Sequence, residues 1–119
     1  MSYDIKLTDP VSRTPLQLDE PHQMRGGTYA VGGDTAMRLN VTYNYSTHFR
    51  RVLDAGEGIR VLYGKSGADS IPMLERGIAN LGDDVDEDYW TPTEGNAKRA
   101  LLQLLALAKM RPDGIWDGD

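Results

Sequence analysis

Seven polar or basic residues in the middle of the chain have side chains suited to binding a small anion. Arginine offers paired donors to phosphate or carboxylate, asparagine offers an amide, and tyrosine offers a stacking surface. Some of them alternate along the polar side of a strand-like segment, residues 37–44, and the others lie on segments that can close over it. The alternative is that an antiparallel sheet keeps one wet face. The candidate ligand-binding residues are Arg38, Asn40, Asn44, His48, Arg60, Tyr63 and Lys65.

A second candidate is an acidic run. Residues 83–88, Asp-Asp-Val-Asp-Glu-Asp, hold five of the eighteen acidic residues, and two aromatic residues follow them. One interpretation is a solvated loop between two helices. The other is a surface that meets Lys or Arg on a partner protein, because opposite charge accelerates encounter and aromatic residues are enriched at interface centres. The candidate partner-facing residues are Asp83, Asp84, Asp86, Tyr89 and Trp90.

The two histidines, His22 and His48, raise a third chemistry. Either could act as a general base with an Asp as its orienting partner in a small hydrolase or transferase. Neither belongs to a His-x-Glu, His-Glu-x-x-His or His-x-x-x-His pattern, so a metal site would have to be assembled entirely by the fold. The sequence therefore predicts no metal and no cofactor, and it assigns no catalytic residue.

Two segments resemble known ligand-binding loops but do not match the residue spacing of those loops. Gly64-Lys65-Ser66 has the end of a phosphate-binding loop, but five residues separate Gly58 from Gly64 where that loop has four. Counted from Asp84, the acidic run has Tyr89 where a calcium loop needs glycine and Gly95 where it needs glutamate. Neither a nucleotide loop nor a calcium loop is expected.

The elements that must position these residues follow from hydrophobic periodicity. Alternation predicts a hairpin in the first eighteen residues and a strand over residues 37–44, and Ser46 is expected to cap a short helix. Residues 59–63 are too short to classify, and the glycine-rich residues 26–33 fit a strand or a loop. Two longer helices are predicted, one capped by Asp69 or Ser70 and one by Thr91 with Pro92 at its first position.

Strands first and helices last predict an α+β fold, with a small antiparallel sheet from the N-terminal half packed against two to three helices from the C-terminal half. The length predicts a single domain over residues 1–119. Gly95 weakens the start of the last helix by about 1 kcal/mol relative to alanine, which predicts a packing reason for it. Trp116 is too apolar for a free tail, so it is expected to dock on the body.

Charge and cysteine content exclude several classes of function. The net charge of −5 disfavours duplex nucleic acid, and without the acidic run the chain has 13 basic and 13 acidic residues. With no cysteine, the chain has no disulfide, no thiolate metal site and no thiol nucleophile. The absence of an export signal or a long apolar stretch predicts a cytoplasmic protein without membrane contact.

Three segments resemble those of small uncharacterised proteins found in bacteria and their phages. They are residues 24–29 (Met-Arg-Gly-Gly-Thr-Tyr), 40–46 (Asn-Val-Thr-Tyr-Asn-Tyr-Ser) and 111–116 (Arg-Pro-Asp-Gly-Ile-Trp). The resemblance spans most of the chain and brings no known catalytic residues. It implies a bacterial, phage or prophage protein of the cytosol and raises the expectation of a host-interaction or defence-related role.

Together these observations predict a non-enzymatic cytosolic binding module that recognises a small anionic, nucleotide-like ligand or a host protein. Two alternatives stay open. One is a small hydrolase or transferase with a His-Asp acid/base pair, and the other is an acidic inhibitor or adaptor with an aromatic-acidic patch. The oligomeric state is not determined by the sequence.

Overall fold

A three-stranded antiparallel sheet forms from both ends of the chain. The computed structural model describes residues 2–23 and 33–119. The strands are β1 (Ser2–Thr8), β2 (Gln17–Gln23), β3 (Gly33–Ala36), β4 (Arg38–Thr42) and β5 (Ile115–Gly118). The central strand β1 lies between two others in the order β4-β1-β5, with Ile5 opposite both Leu39 and Gly118. A second, two-stranded sheet pairs β2 with β3.

Three helices and two short 3-10 turns complete the described part of the chain. The helices are α1 (Ser46–Val52), α2 (Gly67–Ala79) and α3 (Glu94–Met110), and the turns span Tyr43–Tyr45 and Gly58–Leu62. The predicted α+β fold with a small antiparallel sheet is confirmed. The sequence predicts the sheet from the N-terminal half and the helices from the C-terminal half. Two elements depart from this division: α1 lies in the N-terminal half, and β5 lies at the C-terminal end.

The apolar core lies on one side of the sheet. Alternate residues of β1 and β4, among them Ile5, Leu39 and Val41, are buried with α1, α2 and α3. On the opposite side Asp4, Arg38 and Asp117 are exposed. The sheet therefore has one solvent-exposed face.

Both long helices are capped at positions other than the predicted ones. The Ser66 hydroxyl accepts from the Asp69 N–H at 3.0 Å and begins α2, and the Thr93 hydroxyl accepts from the Asn96 N–H at 3.1 Å and begins α3. Several Ser, Thr and Asp residues precede each helix, and local pattern cannot choose among them. Pro92 consequently lies before the cap of α3.

The end of the chain docks as predicted and forms a strand. Trp116 is 1% exposed, and its indole N–H donates to the Ser70 hydroxyl at 2.8 Å. The Trp116 main chain also bonds to Lys65 and Gly64 at 2.9 and 2.8 Å, which covers the outer edge of β5. Among the helices of residues 2–23 and 33–119, none has the length and apolar character needed to cross a bilayer.

Candidate partner-binding surface

One buried side chain holds the acidic loop between α2 and α3. Asn96 is completely buried, and its amide makes three bonds to that loop. Its Oδ1 accepts from the Asp86 N–H at 3.1 Å, and its Nδ2 donates to the carbonyls of Asp88 and Thr91 at 3.3 and 3.0 Å. The loop backbone therefore has a defined shape over the residues that carry most of the charge.

The loop lies directly on the first turn of α3, where Gly95 admits it. A β-carbon on Gly95 would lie 2.7 Å from the Asp84 carbonyl carbon and 2.8 Å from the Val85 nitrogen. The Gly95 N–H also donates to the Asp84 carboxylate at 3.3 Å. The predicted packing reason for this glycine is confirmed: the backbone of the loop leaves no room for a side chain.

The turn before α1, and α1 itself, hold the other end of the loop. The Asn44 amide donates to the Trp90 carbonyl at 2.8 Å, and the Tyr45 hydroxyl donates to the Tyr89 carbonyl. His48 Nε2 lies 2.7 Å from the Pro92 carbonyl, and because a carbonyl only accepts, this nitrogen donates. Asn44 and His48, expected to line a ligand site, thus position the acidic loop.

The loop presents charge and two apolar side chains to solvent. Residues 83–88 are all exposed, with Val85 51% and Trp90 47% exposed. Tyr89, predicted to face a partner, is buried and packs against Trp90 with ring centroids 4.0 Å apart. We call the exposed part the acidic-aromatic surface; it consists of Asp83, Asp84, Val85, Asp86, Glu87, Asp88 and Trp90.

One lysine of α3 pairs with this surface. Lys98 Nζ lies 2.6 Å from the Asp83 carboxylate, and this is the one ion pair recorded for the run within the described residues. Near α1, Arg51 pairs with Glu94 at 2.9 Å instead. The surface keeps a concentrated negative charge on a backbone whose shape is fixed.

The seven residues expected to bind an anion fall into three groups by the contacts they make. Arg38 pairs with Asp34 at 3.3 Å on the wet face of the sheet, where Asn40 donates to Ser2 and Asp4 at 2.8 and 2.9 Å. Asn44 and His48 hold the acidic loop. The remaining three, Arg60, Tyr63 and Lys65, lie on the segment beside β5.

Arg60 holds the end of the chain against the turn at Tyr43–Tyr45. Its guanidinium lies 5.0 Å from the ring centroid of Tyr3 and 5.6 Å from that of Tyr43. Its Nε donates to the main-chain oxygen of Asp119 at 2.8 Å, and its Nη2 donates to the Tyr43 hydroxyl at 3.1 Å. Two donors of this arginine are therefore used within the chain.

His22 lies in β2, opposite Asp34 in the strand register. No group of three or more His, Asp or Glu residues in the described ranges, 2–23 and 33–119, is placed to hold a metal ion.

The glycine-rich segment, residues 26–33, falls almost entirely outside the described residues; only Gly33, the first residue of β3, falls within them.

Two tyrosines with buried hydroxyl groups make a matched pair for a stability test. Burial raises the pKa of Tyr45 to about 12; burial, and after it the charge of Asp119, also raise the pKa of Tyr63. The Tyr63 hydroxyl is buried with no partner among the described residues, whereas the Tyr45 hydroxyl donates to Tyr89. An unpaired buried hydroxyl costs free energy, so removing it is favourable or neutral, while removing a paired donor strands its carbonyl.

We therefore expect Tyr63→Phe to leave the free energy of unfolding unchanged or to raise it by up to about 1 kcal/mol. Tyr45→Phe should lower it by about 1–2 kcal/mol, because the Tyr89 carbonyl loses its donor. Urea unfolding followed by circular dichroism measures both values. The opposite ranking of the two variants would contradict the assignment of partners.

The geometry of the acidic-aromatic surface is the basis on which function must be inferred. No protein-family model, curated protein or solved structure matches this chain.

Proposed function

We propose that this protein is a non-enzymatic binding module that recognises a basic surface on a partner protein through its acidic-aromatic surface. The observation that carries the proposal is the burial of Asn96, whose amide fixes the backbone beneath five exposed carboxylates. The resemblance to small bacterial and phage proteins supports a cytoplasmic host protein as the partner.

Repulsion among the acidic side chains of the loop favours a binding role for it over the role of a simple linker between α2 and α3. Two like charges about 7 Å apart repel by about 0.6 kcal/mol even in water, and five acidic residues within six positions make several such pairs. Bonds from Asn44, Tyr45, His48 and Asn96 hold them together nonetheless. Lysine or arginine side chains of a partner would relieve this repulsion and speed encounter.

Trp90 supplies the apolar centre of the proposed interface. It is half exposed and packs on Tyr89, so its indole is positioned before binding and loses little freedom when a partner covers it. Tryptophan is enriched among the residues that dominate binding energy, and its ring face also attracts Arg and Lys. Asn44 and His48 bond to the acidic loop, and Arg60 bonds to Asp119. These uses within the chain favour a protein partner over a small anionic ligand.

The test removes charge without disturbing the loop. In Asp86→Asn the remaining oxygen still accepts from the Asp88 N–H, a bond of 2.8 Å, and Glu87 is exposed. Fluorescence anisotropy with a labelled deca-arginine peptide measures binding by the wild type, by the Asp86→Asn/Glu87→Gln variant and by Trp90→Ala. Glu57→Gln/Glu75→Gln removes the same charge from exposed positions elsewhere and is the matched control.

We expect the loop variant to weaken binding at least about tenfold at low salt and to flatten its dependence on salt concentration. The control should change affinity less than about twofold, because distant exposed charges are screened. Trp90→Ala should weaken binding with an unchanged salt slope. Equal effects of the loop variant and the control would overturn the proposal.

A further inference from the structure

The outward face of α3 carries an apolar stripe that the rest of the described fold does not cover. Leu102, Ala106 and Met110 recur every four residues, and all three are exposed, Leu102 by 45% and Met110 by 54%. The positively charged Arg99 and Lys109 are exposed on the same side of the helix. The opposite side, with Leu101, Leu104 and Ala108, faces the core.

The acidic loop marks one end of this face. Gly95 is seven residues before Leu102, about two full turns, so it points in nearly the same direction. The backbone of Asp83, Asp84 and Val85 lies against that glycine, and the Val85 side chain is 51% exposed. The face thus has an acidic end at Gly95 and a basic end at Lys109, about 21 Å away, with apolar residues between them.

We propose that a second copy of this chain docks on this face with its α3 antiparallel. A two-fold axis near Leu102 lies midway between Gly95 and Lys109, so it places the acidic end of each copy against the basic end of the other. Leu102 then meets Leu102, and Val85 meets Met110. Lys109 meets the carboxylate of Asp84 and that of Asp83, which Lys98 of the same copy also contacts. Each unlike contact occurs twice, as a two-fold interface requires.

Three physical effects favour this arrangement. It removes the half-exposed Leu102, Met110 and Val85 from water. The small Ala106 lets the helices approach closely, and antiparallel helices align their dipoles favourably. One effect opposes it, because each copy carries a net charge of −5 and the two copies repel each other. A reversible dimer is the consequence, with a dissociation constant on the order of 10⁻⁵ M.

The dimer goes beyond the proposed binding function and can fail independently of it. A basic partner and a second copy would compete for the Asp83 end of the loop. A protein that is monomeric throughout yet binds the deca-arginine peptide would overturn the dimer alone.

Sedimentation velocity from about 5 to about 500 µM tests the dimer on the intact chain. The wild type should shift from monomer to dimer across this range, and Leu102→Asp should stay monomeric because a charge would be buried at the axis. Val11→Asp is the matched control, since Val11 is 91% exposed in the turn after β1 and lies outside the proposed interface. Wild-type protein that is monomeric throughout, or a Val11→Asp variant that loses association as fully as Leu102→Asp, would overturn the proposal.

Charge exchange and cross-linking test the antiparallel geometry. Lys109→Glu should weaken association at least about fivefold. Asp83→Lys, which also breaks the ion pair with Lys98, should weaken it too, whereas the Asp83→Lys/Lys109→Glu variant should restore it because the pairing between copies is reversed. The chain has no cysteine, so Leu102→Cys introduces a single thiol beside its counterpart at the axis. Under oxidation it should form a disulfide dimer much faster than Val11→Cys. Equal rates, or no recovery in the double variant, would refute the antiparallel arrangement.

Discussion

Replacing Trp116 with alanine is expected to lower the free energy of unfolding by about 3–5 kcal/mol. The side chain is 1% exposed and belongs to the same apolar cluster as Ile5 and Leu7. Its removal would leave a large cavity where β5 packs on the core, and the Ser70 hydroxyl would lose the indole donor. Urea unfolding at 25 °C, monitored by far-ultraviolet circular dichroism, measures the loss.

The other tryptophan provides the control for this experiment. Trp90 is 47% exposed and packs on Tyr89, so Trp90→Ala should cost less than about 1 kcal/mol. Trp116→Phe should fall between the two, because it keeps much of the ring volume but loses the bond to Ser70. If Trp116→Ala lowers the free energy of unfolding as little as Trp90→Ala is expected to, by less than about 1 kcal/mol, β5 contributes little to the core.

Local alternation predicts the strands whose inner face is buried, but it does not predict their partners. The apolar residues of β1 and β4 follow a period of two because only one side of the sheet faces the core. Of the hairpin predicted in the first eighteen residues, the structure forms an isolated antiparallel bridge between Thr8 and Pro15. The main partner strands are distant, and β5 has four residues whose pairing joins Lys6 to Asp117. No local pattern encodes such a contact.

The candidate site shows the same division between local and distant information. The acidic run, its aromatic neighbours and the unusual Gly95 are visible in the sequence, and the loop between two helices lies where they predict it. The role of Asn96 is not visible, because an asparagine in the first turn of a helix is ordinarily a solvated residue. The signal that could have found it is its position directly after Gly95, beside a charged run that needs bonds from elsewhere.

A turn after β4 separates Asn44 and His48 from Arg38. The alternation predicts a strand to residue 44, but β4 ends at Thr42, where the hydroxyl accepts from the Asn44 N–H at 3.2 Å and begins a 3-10 turn. Thr42 is itself 1% exposed. The turn redirects the chain, so Asn44 and His48 face the acidic loop and not the wet side of the sheet.

Asn96→Asp is expected to lower the free energy of unfolding by about 2–4 kcal/mol at neutral pH. The new carboxylate could still accept from the Asp86 N–H, but it has no donor for the carbonyls of Asp88 and Thr91. A buried negative charge would face two carbonyl oxygens beneath an acidic run. Burial and repulsion should therefore raise the pKa of this aspartate in the folded state above its unfolded value of about 3.9.

The pH dependence has a definite sign. Below about pH 4 the aspartate is protonated in both states, and its hydroxyl can donate to one carbonyl, so the loss relative to wild type is smallest. As the pH rises the unfolded state ionises first, and the loss grows until the pH exceeds the raised pKa of the folded state. Urea unfolding of both proteins between about pH 3 and pH 8 measures the difference. Asn80→Asp is the control, because Asn80 is exposed at the end of α2 and its amide donates to the Arg76 carbonyl at 2.8 Å. If Asn96→Asp loses no more stability than Asn80→Asp, the buried amide does not hold the loop, and the proposed surface loses its fixed shape.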